Sequence, residues 1–182
     1  MTEACMIALV SLAICISSSF NFAYATDAAA PGAAESNKFK VVGHVYCDTC
    51  RVEFETKISQ PISGAVVKLE CRNRTDGAVT FQSPEITTTQ SGDYRIHVEG
   101  DYEDSDCHVT LVKSSRPDCS DLTEDWRKAR VVLTSLAGVS GDIRFANNLG
   151  FKKKEAVPEC KKVLTELGYY ELQDELGHEV VP

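Results

Sequence analysis

From Phe39 onward the chain alternates apolar and polar residues with period two, the spacing of strands that bury one face. Ala65, Val67, Leu69 and Cys71 share one face, with Val66, Lys68 and Glu70 on the other. Tyr94, Ile96 and Val98 alternate with Arg95, His97 and Glu99. Cys107, Val109 and Leu111 alternate with His108, Thr110 and Val112, and Ala129, Val131 and Leu133 with Arg130, Val132 and Thr134. A slip of one residue turns a strand's whole apolar set outward, so the pattern predicts both register and core. The expected core is Val41, Val45, Val67, Leu69, Tyr94, Ile96, Val98, Val109, Leu111, Val131 and Leu133. Residues 51–58 read as a further β-like run.

Turn residues separate these runs: Pro61-Ile62-Ser63-Gly64, Thr75-Asp76-Gly77, Gln90-Ser91-Gly92-Asp93, Gly100-Asp101 and Gly138-Val139-Ser140-Gly141. Several short strands with frequent turns predict an all-β fold, an antiparallel β-sandwich or barrel. A helix is expected only late, where Pro158 suits a first turn. Cys160, Val163, Leu164 and Leu167 then make one face before Gly168 stops it. The β domain is expected over residues 39–170. Residues 26–38 lack a large apolar residue and read as a flexible arm, and residues 171–182 as an acidic tail that frays.

Ahead of the arm, residues 6–16 are an almost unbroken apolar run, followed by a serine stretch and Ala23-Tyr24-Ala25. That is the layout of a secretory signal cleaved after Ala25, and the run is shorter than the ~20 apolar residues of a membrane helix. The reading is export to the extracellular space, with no membrane insertion after cleavage. The 182 residues carry 19 Lys+Arg against 27 Asp+Glu, a net charge of −8; cleavage removes Glu3 and no base, leaving −7. An acidic chain without clustered Lys/Arg is a poor match for nucleic acid or an anionic membrane.

Export changes the reading of the eight cysteines. Cys5 and Cys15 leave with the signal, and the remaining Cys47, Cys50, Cys71, Cys107, Cys119 and Cys160 are expected to form three disulfides in an oxidising compartment. Cys71 and Cys107 fall on the inward faces of their strands and should join. Cys47 and Cys50 are then left to reach Cys119 and Cys160 in either order. Cys47-Asp48-Thr49-Cys50 also has the spacing of a zinc knuckle or a redox pair. A redox pair needs a helix N-terminus, whereas this motif ends a strand, and zinc needs a second close pair. His97 and His108 lie on outward faces, where two histidines on neighbouring strands can hold a metal; a solvated surface is the simpler reading. Asp101 to Asp106 and Asp121 to Asp125 are acidic clusters of a kind that glycosidases or calcium sites use, read here as charged loops. Lys152-Lys153-Lys154 reads as a solvated turn. No nucleophile elbow, metalloprotease helix or phosphate loop is present, and no cofactor is implied. Asn73-Arg74-Thr75 is a glycosylation sequon at a turn, marking Asn73 as the expected glycan site.

The segment Gly43-His44-Val45-Tyr46-Cys47-Asp48-Thr49-Cys50-Arg51 resembles the signature of the olive major pollen allergen family, the Ole e 1-like proteins. The likeness continues through Gly64-Ala65, Val67-Lys68-Leu69-Glu70-Cys71, Gly92-x-Tyr94, Cys107, Cys119, Asn148-Leu149-Gly150-Phe151 and Pro158-Glu159-Cys160. Val42 departs from the Glu or Gln usual there. The resemblance implies a secreted, N-glycosylated plant protein whose β-sandwich or barrel is pinned by Cys47–Cys119, Cys50–Cys160 and Cys71–Cys107. It also implies a non-enzymatic role in pollen hydration and tube growth, with an extracellular protein partner such as a receptor-kinase ectodomain, and IgE where a member is allergenic. The other class left open is a secreted enzyme or enzyme inhibitor acting on cell-wall polymers or proteases.

Overall fold

A computed structural model describes residues 37–123 and 126–176. The expected signal sequence, most of the arm and the last six residues lie outside the described residues. In chain order the strands are β1 (Lys38–Asp48), β2 (Gln60–Pro61), β3 (Val66–Asn73), β4 (Val79–Gln82), β5 (Ile86–Thr87), β6 (Asp93–Glu99), β7 (Ser105–Lys113), β8 (Cys119–Leu122), β9 (Lys128–Val131), β10 (Ile143–Phe145) and β11 (Leu149–Lys153). Two helices follow, α1 (Cys160–Glu166) and α2 (Tyr169–Leu176). No helix among the described residues is long and apolar enough to cross a membrane.

The strands form two sheets, one of β1, β2, β6, β8, β10 and β11 and one of β3, β4, β5, β7 and β9. Pairing is mostly antiparallel. In the first sheet β1 takes β6 and then β2 along one edge, both antiparallel. Along its other edge it takes β10 and then β11, both parallel. Alternation along a single strand carries no information about a partner's direction, so these two parallel pairings were not legible in it. The second sheet is built on β3 against β7, antiparallel and in continuous register from Val67 to Asn73, with a register shift between Val66 and Val67.

All eleven expected core residues are buried between the sheets, joined by Phe39, Ile62, Leu149 and Phe151. Two large rings are admitted by glycines. Tyr94 lies across Gly43, its register partner, where an added Cβ would sit 2.2 Å from the phenol oxygen. Tyr46 lies across Gly150, where a Cβ would sit 2.8 Å from the ring.

Residues 51–58 are not a strand. Two left-handed residues, Arg51 at φ 59° and Glu53 at φ 63°, wind the chain into bends. The cause is Asp48, whose carboxylate accepts the backbone N–H of Cys50 at 3.0 Å and of Glu53 at 2.7 Å. Val52, Phe54 and Ile58 therefore pack against α1, α2 and the preceding Val157 in a second, smaller cluster around Cys50, Cys160 and Leu164. The late helix buries Cys160, Val163 and Leu164, but Leu167 is 53% exposed at its end. Gly168, at φ 68°, closes it, and α2 then extends through residues 171–176 of the expected tail. Lys152 and Lys153 belong to β11 and not to a turn.

Candidate functional site

The structure joins Cys47 to Cys119, Cys50 to Cys160 and Cys71 to Cys107. Cys71 and Cys107 are register partners on β3 and β7. Cys47 ties the end of β1 to the start of β8, and Cys50 ties the bends after β1 to the start of α1. The two sulfurs of the Cys47-x-x-Cys50 segment thus leave in different directions, and neither is left as a thiolate for zinc or for exchange. Between them Asp48 is fully buried (0% exposed). Burial pushes its carboxyl above the ordinary carboxylate range, and the backbone N–H groups of residues 50–53 oppose that rise only in part.

His97 sits on β6 and His108 on β7, in different sheets, so they are not neighbours on one surface. His44 Nδ1 lies 2.9 Å from Asp93 Oδ1. Among the described residues no group of three His, Cys, Asp or Glu can hold a metal ion.

The acidic loops are engaged internally. Asp101 accepts from the Asn37 amide at 2.7 Å and the Thr134 hydroxyl at 3.1 Å, tying the start of β1 to the loop that precedes β7; Asp106 itself lies on β7. Burial alone would raise its carboxyl; the donors of Thr134, Ser135 and Glu103 outweigh this and lower it. Asp106 pairs with Arg74 and Arg130, and the Arg74 hydrogen bond holds its carboxyl low. Asp118 pairs with Arg116 and Lys153, and Asp121 with Arg51. Glu124 and Asp125 lie outside the described residues. These carboxylates brace loops and are not spare groups for chemistry. Asn73, half-buried at the end of β3, turns its Oδ1 to the Thr75 N–H at 2.7 Å. It borders a cavity of about 420 Å³ with Thr80, Tyr102 and Glu103.

An exposed apolar surface lies around β10 and the loop into β11. Here the usual alternation is inverted. Arg144 is buried (5% exposed), its guanidinium donating to the carbonyls of Gly141 and Thr134 and lying 4.6 Å from the Phe39 ring centre. Its neighbours Ile143 and Phe145 face outward, Phe145 at 81% exposed. A hydrophobic-pattern reading places such apolar residues inside, so it misses this patch; the readable signal is a lone arginine between two apolar residues. Two clefts adjoin the patch and share Ala146 and Asn148. One, of about 780 Å³, is lined by Val42, Ile86, Tyr94, Ile143 and Phe145; the other, of about 520 Å³, by Tyr46, Phe54, Glu55 and Trp126.

Known proteins share this architecture. The family model described as "Pollen protein Ole e 1 like" matches residues 37–168. Pollen allergen Che a 1 of Chenopodium album is 50% identical over 143 residues, covering 77% of this chain and 84% of that protein. Anther-specific protein LAT52 of Solanum lycopersicum is 44% identical over 161 residues, 88% of this chain and 94% of that one. The crystal structure of the major plantain pollen allergen Pla l 1 superposes with a TM-score of 0.61 at 34% identity, covering 68% of this chain and 99% of that chain. With its signature cysteines, its two-sheet fold and these relatives in agreement, the chain belongs to the pollen Ole e 1-like family.

Proposed function

We propose that the chain is a secreted, non-enzymatic recognition protein of pollen that binds an extracellular protein, a receptor-kinase ectodomain being the partner class, in hydration and tube growth. The observation that carries this reading is the exposed Ile143–Phe145 patch at the wall of the larger cleft, on a scaffold held by three disulfides. A rigid sheet that presents apolar side chains on a strand edge meets a partner without paying to order itself first. The names of relatives, pollen allergens and an anther-specific protein, support the tissue and support IgE as a second binder. The apolar run of residues 6–16 supports export, and the position of Asn73 before the turn at residues 74–76 supports a glycan there.

The test is surface plasmon resonance of the oxidised, glycosylated protein against pollen receptor-kinase ectodomains, with Phe145→Ser alongside. Saturable binding that the substitution weakens at least ~10-fold, with the disulfides intact, is the expected result. Turnover of a polysaccharide, peptide or thiol substrate, abolished by one carboxylate or cysteine substitution that leaves the fold intact, would overturn it.

A further inference from the structure

We infer that the smaller cleft is a cation-binding anchor that takes the guanidinium of an arginine from a basic segment of the partner. This deepens the recognition reading and rests on it. Three aromatic side chains, Tyr46, Phe54 and Trp126, line the cleft together with the Glu55 carboxylate and the amides of Asn147 and Asn148, and no Lys, Arg or His is among the lining residues. Aromatic faces attract a cation through their quadrupole, and a planar guanidinium both stacks on a ring and forks onto a carboxylate.

The acid is set up for that role. The Asn148 amide donates to Glu55 Oε2 at 2.6 Å, which holds the carboxylate against the cleft wall. Its Oε1 takes no partner among the described residues. The neighbouring acids are spent elsewhere, Asp48 on backbone N–H groups and Glu53 on Lys152 at 2.8 Å. The local field is negative all the same. Burial is the main reason that the Tyr46 hydroxyl resists ionisation, and Asp48, Glu55 and Glu53 each add to it. An anionic sugar or a phosphate is disfavoured in such a place. The cleft also shares Ala146 and Asn148 with the one beside Phe145, so one partner segment can seat an apolar residue and an arginine together.

Trp126 is the chain's one tryptophan, so its fluorescence reports the cleft directly. The probe is a short glycine-flanked arginine peptide, with the matching lysine and citrulline peptides and a neutral oligosaccharide as comparisons. The expected result is a saturable change in Trp126 emission with the arginine peptide. It should weaken about 10-fold in Glu55→Gln, fall with salt, and be lost with citrulline. Glu103→Gln removes the same charge at the cavity beside Asn73 and should leave the affinity unchanged. Equal weakening by the two substitutions would mean bulk attraction to an acidic protein and would overturn the site. So would a silent arginine peptide, or a saturable response to the oligosaccharide that ignores Glu55, which would make the cleft a saccharide site. A silent cleft in a protein that still binds its ectodomain would sink this anchor and leave the recognition reading standing.

Discussion

Leu69 and Leu164 are both buried, but they are held by different means. Leu69 sits between two sheets, with Val67 and Cys71 on the same face of β3 and β7 hydrogen-bonded along its whole length. Leu164 sits under a cap, against Cys50 and Cys160 and a set of half-buried rings, where Phe54 meets Tyr169 at 5.8 Å and Tyr169 meets Tyr170 at 5.7 Å. The sandwich core is one continuous cluster. The cap is a few side chains, one disulfide and the bends around Asp48. The difference separates a core that carries the fold from a smaller cap whose Phe54 also lines the cleft with Tyr46 and Trp126.

Within the sandwich, removing the Cys71–Cys107 bridge as a paired alanine substitution should have a larger effect than any single substitution. It frees a loop spanning 36 residues in sequence and opens a hole in the sandwich. On the loop-entropy argument alone the cost is about 4 kcal/mol, read as a shift in the urea midpoint. Next, Leu69→Ala should cost about 3 kcal/mol and Leu164→Ala about 2 kcal/mol or less, because the half-buried cap can collapse onto the gap and the sandwich cannot. Equal losses would erase the comparison.

The two regions also differ in how acid acts on them. Asp106, Asp118 and Asp142 have carboxyls lowered chiefly by hydrogen bonds from Arg74, Arg116 and Lys40, so what they contribute is present above the unfolded value and lost as pH falls through the lowered one. Asp48 has the opposite sign. Its carboxyl is raised by burial, so the folded state holds the proton to higher pH than the unfolded chain. Its contribution falls as pH rises from the unfolded value of ~3.9 through the raised one. Asp48→Asn should therefore make stability climb more steeply between acid and neutral pH than in the parent, measured by urea unfolding across that window. A shallower climb would mean that Asp48 is stabilised as the anion. The smallest effect is expected at Tyr94, whose buried hydroxyl has no hydrogen-bond partner among the described residues. Tyr94→Phe should be neutral or stabilising by up to about 1 kcal/mol, since an unsatisfied group is removed and its ring stays.

The same division governs what was legible in the sequence. Period-two alternation located the sandwich core because β3, β6 and β7 each bury one face, and Leu69, Val109 and Ile96 obey that rule. It failed at residues 51–58, where apolar residues at alternate positions lie on bends wound by Asp48, a hydrogen-bonding cause that hydrophobicity does not record. It made no reading at β10, where Arg144 is the inside residue because backbone carbonyls and the Phe39 ring receive its guanidinium. Trp126 carried no pattern at all, lying in a turn between strands. Gly43 and Gly150 stood within the family signature, but their reason, room for Tyr94 and Tyr46, is visible only in three dimensions.

Native-state hydrogen exchange on the oxidised protein tests most directly whether the cap is held independently of the sandwich. Amides of α1 and of residues 50–58 should exchange through an opening well below the global unfolding free energy, while β3 and β7 exchange only at that limit. Alanine at both Cys50 and Cys160 should lower the first and leave the order of the second intact. Cap and sandwich amides exchanging together at the global limit, in the parent and in the variant alike, would contradict the account.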